Sequence, residues 1–106
     1  GDAAKMVAVL EFGWTIDPRP DSPYRWHAVT EAQQDKYIQR AFQYARQHWQ
    51  PWIGVMNVIY LANPQWTLDD EQTYWSVVYP GYPELRTAMA YYGLVTMPKV
   101  PPVNPE

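Results

Sequence analysis

Val7 to Thr15 reads VAVLEFGWT, and the reading of this stretch decides the fold. Met6 to Leu10 is a short, continuous apolar run with no polar face, the pattern of a strand covered on both sides, as in a parallel sheet. The run ends in one carboxylate, Glu11, followed at once by Phe12, Gly13 and Trp14. The expectation is a buried strand that delivers a single acid to its C-terminal end beside an aromatic plate. Gly13 is expected there because glycine permits backbone angles that other residues avoid.

Working outward, residues 17–23, DPRPDSP, hold three prolines and form a surface loop after the strand. Thr30 opens a helix: its hydroxyl caps the first turn, and Gln33 completes a capping box. Ile38, Ala41, Phe42, Ala45 and Trp49 follow at spacings of three and four, one apolar stripe, and Pro51 marks the stop. Residues 53–62, IGVMNVIYLA, are rich in β-branched side chains and read as a second buried strand ended by Asn63-Pro64. A helical turn headed by Thr67 is expected over 68–74, and a short extended piece over 74–79. Pro83 and Glu84 suit the first turn of a last helix, with Leu85, Ala88, Met89 and Tyr92 as its buried stripe and Gly93 as its C-terminal cap. Residues 1–97 are expected to form one α/β segment with parallel strands, and 98–106 an extended Pro-rich tail. Two strands leave faces and edges that need further cover.

The 106 residues are enough for one domain, and a net charge of −3 offers no basic footprint for nucleic acid. With no Cys, neither a disulfide nor a thiolate metal site is possible. No apolar run reaches the roughly 20 residues of a membrane helix. Six Trp and nine Tyr are the compositional outlier. Aromatics in such numbers fill cores, and they also form the flat platforms on which carbohydrates stack. Residue 1 is Gly and no signal-peptide pattern follows, so a chain processed or excerpted from something longer is expected.

Glu11 is the first candidate for chemistry, since the C-terminal ends of strands carry the catalytic groups of α/β barrels. Trp14 is placed to pack beside a bound ring. Tyr24, Trp26 and Trp14 flank the Pro-rich loop, either as an active-site rim or as loop packing. Trp49, Trp52 and Trp75 are assigned to core or helix–sheet packing. Asn57 interrupts an apolar strand and reads as a buried amide satisfied by backbone, the alternative being a hydrogen bond into a barrel mouth. His27 and His48 have no second ligand at metal spacing, so no metal and no cofactor are expected.

LEFGWT, preceded by GDAAK and followed by the Pro-rich loop, resembles the seventh strand of clan A retaining glycoside hydrolases, (β/α)8 barrels similar to families 5 and 39. TEAQQDKYIQRAFQYARQHW resembles their seventh helix, PWIGVMNVIYLAN the eighth strand, and DDEQTYWSVVYPGYPELRTAMAYYG the closing segment and eighth helix. The resemblance spans residues 1 to 95, the last quarter of a barrel of about 250 residues. It implies a β7-α7-β8-α8 segment, a carbohydrate substrate, Glu11 as nucleophile and an exported protein. The rest of the barrel would come from the same gene or another chain.

Two departures qualify what the resemblance implies. The acid/base Glu of the clan sits on the fourth strand, which is not in this chain; Asp17, Asp21, Asp69, Asp70 and Glu71 are not assumed to replace it. The Trp that the clan carries near the end of the eighth strand is here Ile59, so Tyr60 or Trp66 is the expected substitute. Three functions follow: the C-terminal part of a glycosidase, inactive alone; a non-catalytic remnant serving as a structural subunit of an assembly; or a carbohydrate-binding module built on exposed aromatics.

Overall fold

A computed structural model describes residues 1–79 and 86–99. Its elements are β1 (Val7–Phe12), α1 (Glu31–His48), β2 (Ile53–Val58), β3 (Val78–Tyr79), β4 (Arg86–Thr87) and α2 (Met89–Thr96), with 3-10 turns at Arg25–His27 and Glu71–Trp75. The chain is mixed α/β. β1 and β2 form a two-stranded parallel sheet, and β3 and β4 a small antiparallel pair. No helix among the described residues is long and apolar enough to cross a membrane.

Helix α1 forms as its local chemistry dictates. The Thr30 hydroxyl accepts from the Gln33 N–H at 3.2 Å, and the Gln33 side-chain oxygen accepts from the Thr30 N–H at 2.9 Å. Two N–H groups that the first helical turn leaves without partners are thereby satisfied. The stripe lands as its spacing requires for Ile38 and Ala45, both buried, with Ala41 and Phe42 half-buried. Trp49 lies beyond the last turn as the C-terminal cap residue and is exposed, as is Trp52. Neither indole reaches the core assigned to it, because the helix ends before the stripe can carry Trp49 inward.

Side chains of β1 and α1 interlock. Phe12 meets Phe42 edge-on at 5.2 Å between ring centroids, and the Gln34 side-chain amide donates to the Trp14 carbonyl at 2.8 Å. Ile38 joins Val77, Val78 and Ala90 in the core, with Phe12, Trp14, Phe42, Val58 and Leu94 packed against them.

The expected two-sided cover of β1 is absent. Val7 and Leu10 are exposed, Leu10 by 70%, while Val9 and Phe12 are half-buried. In β2, Gly54, Val55 and Asn57 are exposed, so the Asn57 amide is not the buried group expected. The physical reason is simple: helices cover one face of this sheet, and no described residue covers the other. The register is irregular as well. Val9 lies opposite Met56 and Phe12 opposite Val58, three steps on β1 against two on β2, across the stretch that contains Glu11. An extra residue of this kind bends a strand and re-aims its side chains.

β2 is shorter than expected. The Ile59 N–H still donates to the Phe12 carbonyl at 3.0 Å, but the Tyr60 carbonyl accepts from Val77 at 2.9 Å, so the chain has left the ladder for the 67–79 segment. The Ile59–Tyr60 peptide bond is cis. The helical turn expected over 68–74 is the 3-10 turn at Glu71–Trp75, and the extended piece narrows to β3. Helix α2 begins later than Pro83, Glu84 and Leu85 led one to expect; those three residues lie outside the described ones. Ala88 is buried as expected, but burial continues at Ala90 and Leu94 and leaves Met89 and Tyr92 exposed. Gly93 is inside the helix, not its cap. A Cβ there would meet the Asp35 carboxyl and the Gln39 amide of α1, so glycine allows the two helices to approach closely. The Glu31 carboxylate accepts from the Met89 N–H at 2.8 Å and caps α2 from the first turn of α1. Of the tail expected at 98–106, only Pro98 and Lys99 are described.

Replacing Thr30 by Ala removes the cap of α1, and with it about 1 kcal/mol of stability. Urea unfolding should show a lower midpoint at an unchanged slope.

Candidate functional site at the strand ends

The C-terminal ends of β1 and β2 meet through a close approach at Gly13. A Cβ built on Gly13 would lie 2.9 Å from the Ile59 carbonyl oxygen and 3.1 Å from Ile59 Cγ1, with the Trp75 ring 3.7 Å away. No glycine among the described residues has positive φ. The glycine is therefore required by contact, not by the unusual backbone angle expected of it.

Around this contact the structure gathers groups from four segments. Glu11 is exposed at the end of β1. Tyr60, just past β2, is half-buried, and its ring meets Trp66 edge-on at 5.4 Å. From the 3-10 turn after β2, Trp75 faces Gly13 and donates its indole N–H to the Glu71 carboxylate. Tyr24 and His27, from the turn after the Pro-rich loop, each bring a ring to 5.5 Å from that of Trp75. Trp26 is 84% exposed and stands edge-on to His27 at 4.4 Å.

Electrostatics ties the acids to the phenol. Burial, and then the nearby negative charges of Glu11 and Glu71, hold the Tyr60 hydroxyl above the usual tyrosine range. Tyr60 thus stays protonated, in the form that can donate a hydrogen bond.

The Pro-rich loop is locked to the segment that carries Glu71 and Trp75. Asp17 is only 2% exposed, and Arg19 donates to both its oxygens, from Nε at 3.0 and 3.2 Å and from Nη2 at 2.8 Å. The same guanidinium donates to the Asp69 carbonyl at 2.8 Å and lies 4.9 Å above the Tyr74 ring centre. These bonds from Arg19 hold the Asp17 carboxyl below its ordinary value, against the opposing effect of burial.

Of the residues expected at the site, Glu11, Tyr60 and Trp66 lie at the strand ends and Trp26 on the neighbouring rim. Trp14 is turned the other way. It packs against Phe12 at 6.4 Å and Tyr37 of α1 at 5.5 Å, within the helix–sheet layer, because it follows Phe12 by two residues on the face that α1 covers. Trp75, assigned to core or helix–sheet packing, is instead the centre of the aromatic group, joined by Glu71, Tyr24 and His27. Nothing in their spacing signals this, since they meet only after two loops fold back. A cavity of about 300 Å³ lies elsewhere, lined by Ile16, Pro18, Leu68, Tyr74, Tyr79 and Arg86, and Glu11 does not line it. Among the described residues, no group of three or more His, Asp or Glu side chains could hold a metal ion.

Gly13→Ala should cost about 1–3 kcal/mol through overpacking against Ile59; a loss below a few tenths in urea unfolding would contradict the contact. Asp17 has a folded pKa below its unfolded one, so its contribution is present above the unfolded value and is lost as pH falls through the folded one. Acid unfolding followed from neutral pH to about pH 2 should lose that limb in Asp17→Asn.

Compared with known proteins, this chain matches no family model, no curated protein and no solved structure.

Proposed function

We propose that this chain is the C-terminal β7-α7-β8-α8 part of a retaining (β/α)8 glycoside hydrolase acting on oligo- or polysaccharides, with Glu11 as its nucleophile. The observation that carries the reading is Glu11 itself. It is an exposed carboxylate at the C-terminal end of a parallel strand, two residues before the Gly13 that Trp75 packs against, and its charge is felt by Tyr60. Strand ends are where barrels keep catalytic groups, and aromatic faces are what sugars stack on.

In this reading a Glu11 oxygen attacks the anomeric carbon. The bond to the leaving oxygen breaks, and that oxygen takes a proton from a second carboxylic acid. Water then hydrolyses the glycosyl ester. The two carboxyl groups must stand about 5–5.5 Å apart. The resemblance assigns the acid/base to a strand outside this chain, so residues 1–106 alone should not turn over.

A second reading is favoured by the open face of the sheet. Leu10 and Val55 are exposed where the strands' apolar sequence asks for cover, as expected of a non-catalytic, glycosidase-like subunit that is buried within an assembly. Both readings require a partner segment on that face. They differ in whether the completed sheet hydrolyses sugars.

The deciding measurement is hydrolysis of aryl glycosides, by this chain alone and by the polypeptide or complex in which its sheet is completed. The glycosidase reading expects no turnover by the chain alone and turnover by the completed protein, with kcat lowered on the order of 10⁴-fold by Glu11→Gln. A completed protein that binds its partner yet leaves every glycoside intact supports the subunit reading. Full activity in the Glu11→Gln variant overturns the role of Glu11.

A further inference from the structure

The cavity of about 300 Å³ is lined by six residues of this chain, none of which belongs to β1 or β2, so the open face of the sheet takes no part in it. Its walls are tied to one another. The Ile16 N–H donates to the Tyr74 carbonyl at 2.9 Å, and the Tyr74 hydroxyl donates to the Leu68 carbonyl at 2.9 Å. Arg19 holds the neighbouring Asp69 carbonyl at 2.8 Å. Ile16, Pro18 and Leu68 supply apolar surface, and Tyr74 and Tyr79 supply rings. Arg86 stands opposite Tyr79 across the β3–β4 ladder, and its guanidinium lies 5.3 Å from the centre of that ring.

The charges beside the cavity are not equally engaged. Arg19 is committed to Asp17, and the Glu31 carboxylate accepts from the Met89 N–H. The Arg86 guanidinium takes part in no ion pair among the described residues. Burial, and then the charge of Glu31, push the Tyr79 hydroxyl up to about 12 despite Arg86, so it stays a protonated donor. An apolar chamber of this size with a few polar groups is the form that small-molecule sites take. A guanidinium laid on a ring presents a planar fork that matches a carboxylate. We propose that this cavity binds a small aromatic carboxylate, its ring against Ile16, Leu68 and Tyr74 and its carboxylate on Arg86. The site shares no residue with the strand ends and does not depend on the role of Glu11.

The test is titration of the full chain with hydrocinnamate and with its uncharged amide, followed by backbone and tyrosine-ring resonances, with the fold checked by circular dichroism. The wild type should bind the acid about tenfold more tightly than the amide, with shifts centred on Ile16, Tyr74 and Tyr79. Arg86→Gln should bring the acid down to the affinity of the amide. Leu68→Asp, at a position 69% exposed, should leave the fold intact and weaken the acid more than the amide. Equal affinity of the wild type for both ligands, or acid binding unchanged in a folded Arg86→Gln variant, overturns the role of Arg86. Shifts centred away from the cavity, or no saturable response to either ligand, overturn the site itself, and neither result bears on Glu11.

Discussion

The parallel pairing of β1 with β2 is the constraint on which the rest depends. Parallel neighbours cannot be joined by a tight turn, so the chain must cross over, and α1 is that crossover. Once α1 lies over the pair, one face of the sheet is closed by Phe42, Ile38 and Gln34, and the loops at the C-terminal ends are brought side by side. The Gly13–Ile59 approach, the turn of Tyr60 towards Val77 and the seating of Trp75 all follow from that adjacency.

The same pairing explains why the molecule is lopsided. The side chains of β1 are apolar on both faces, yet burial reaches only the face under α1. Apolar surface left in water is costly at about 25 cal/mol per Å². A strand sequence of this kind is stable in the long run only where something closes its second face. The open side of the sheet is thus the face on which its apolar strands lack cover.

The site is built from contrasts in burial. Asp17 is sealed and matched by a guanidinium, so its charge is spent on holding the Pro-rich loop to the segment that carries Glu71. Glu11 is exposed and takes part in no ion pair among the described residues. A charge that is fully paired does architectural work.

Much of the frame was legible in the chain itself. Thr30 and Gln33 start α1 because their side chains satisfy neighbouring N–H groups, and Ile38 and Ala45 face inward because they share a stripe at helical spacing. Both are local effects, carried by residues a few positions apart. The apolar runs of β1 and β2 likewise determined a parallel pair, though not which face would be covered. Position in space decided the remainder. Gly13 and Gly93 are needed for contacts with residues far away in sequence, and Trp14 turns to the helix while Trp75 takes the strand ends beside Gly13. Such meetings depend on how loops return, and loop paths are set by long-range bonds such as that from Arg19 to the Asp69 carbonyl. A sequence read by period and spacing has no access to them, because the energy that selects them appears only once the distant partner has arrived.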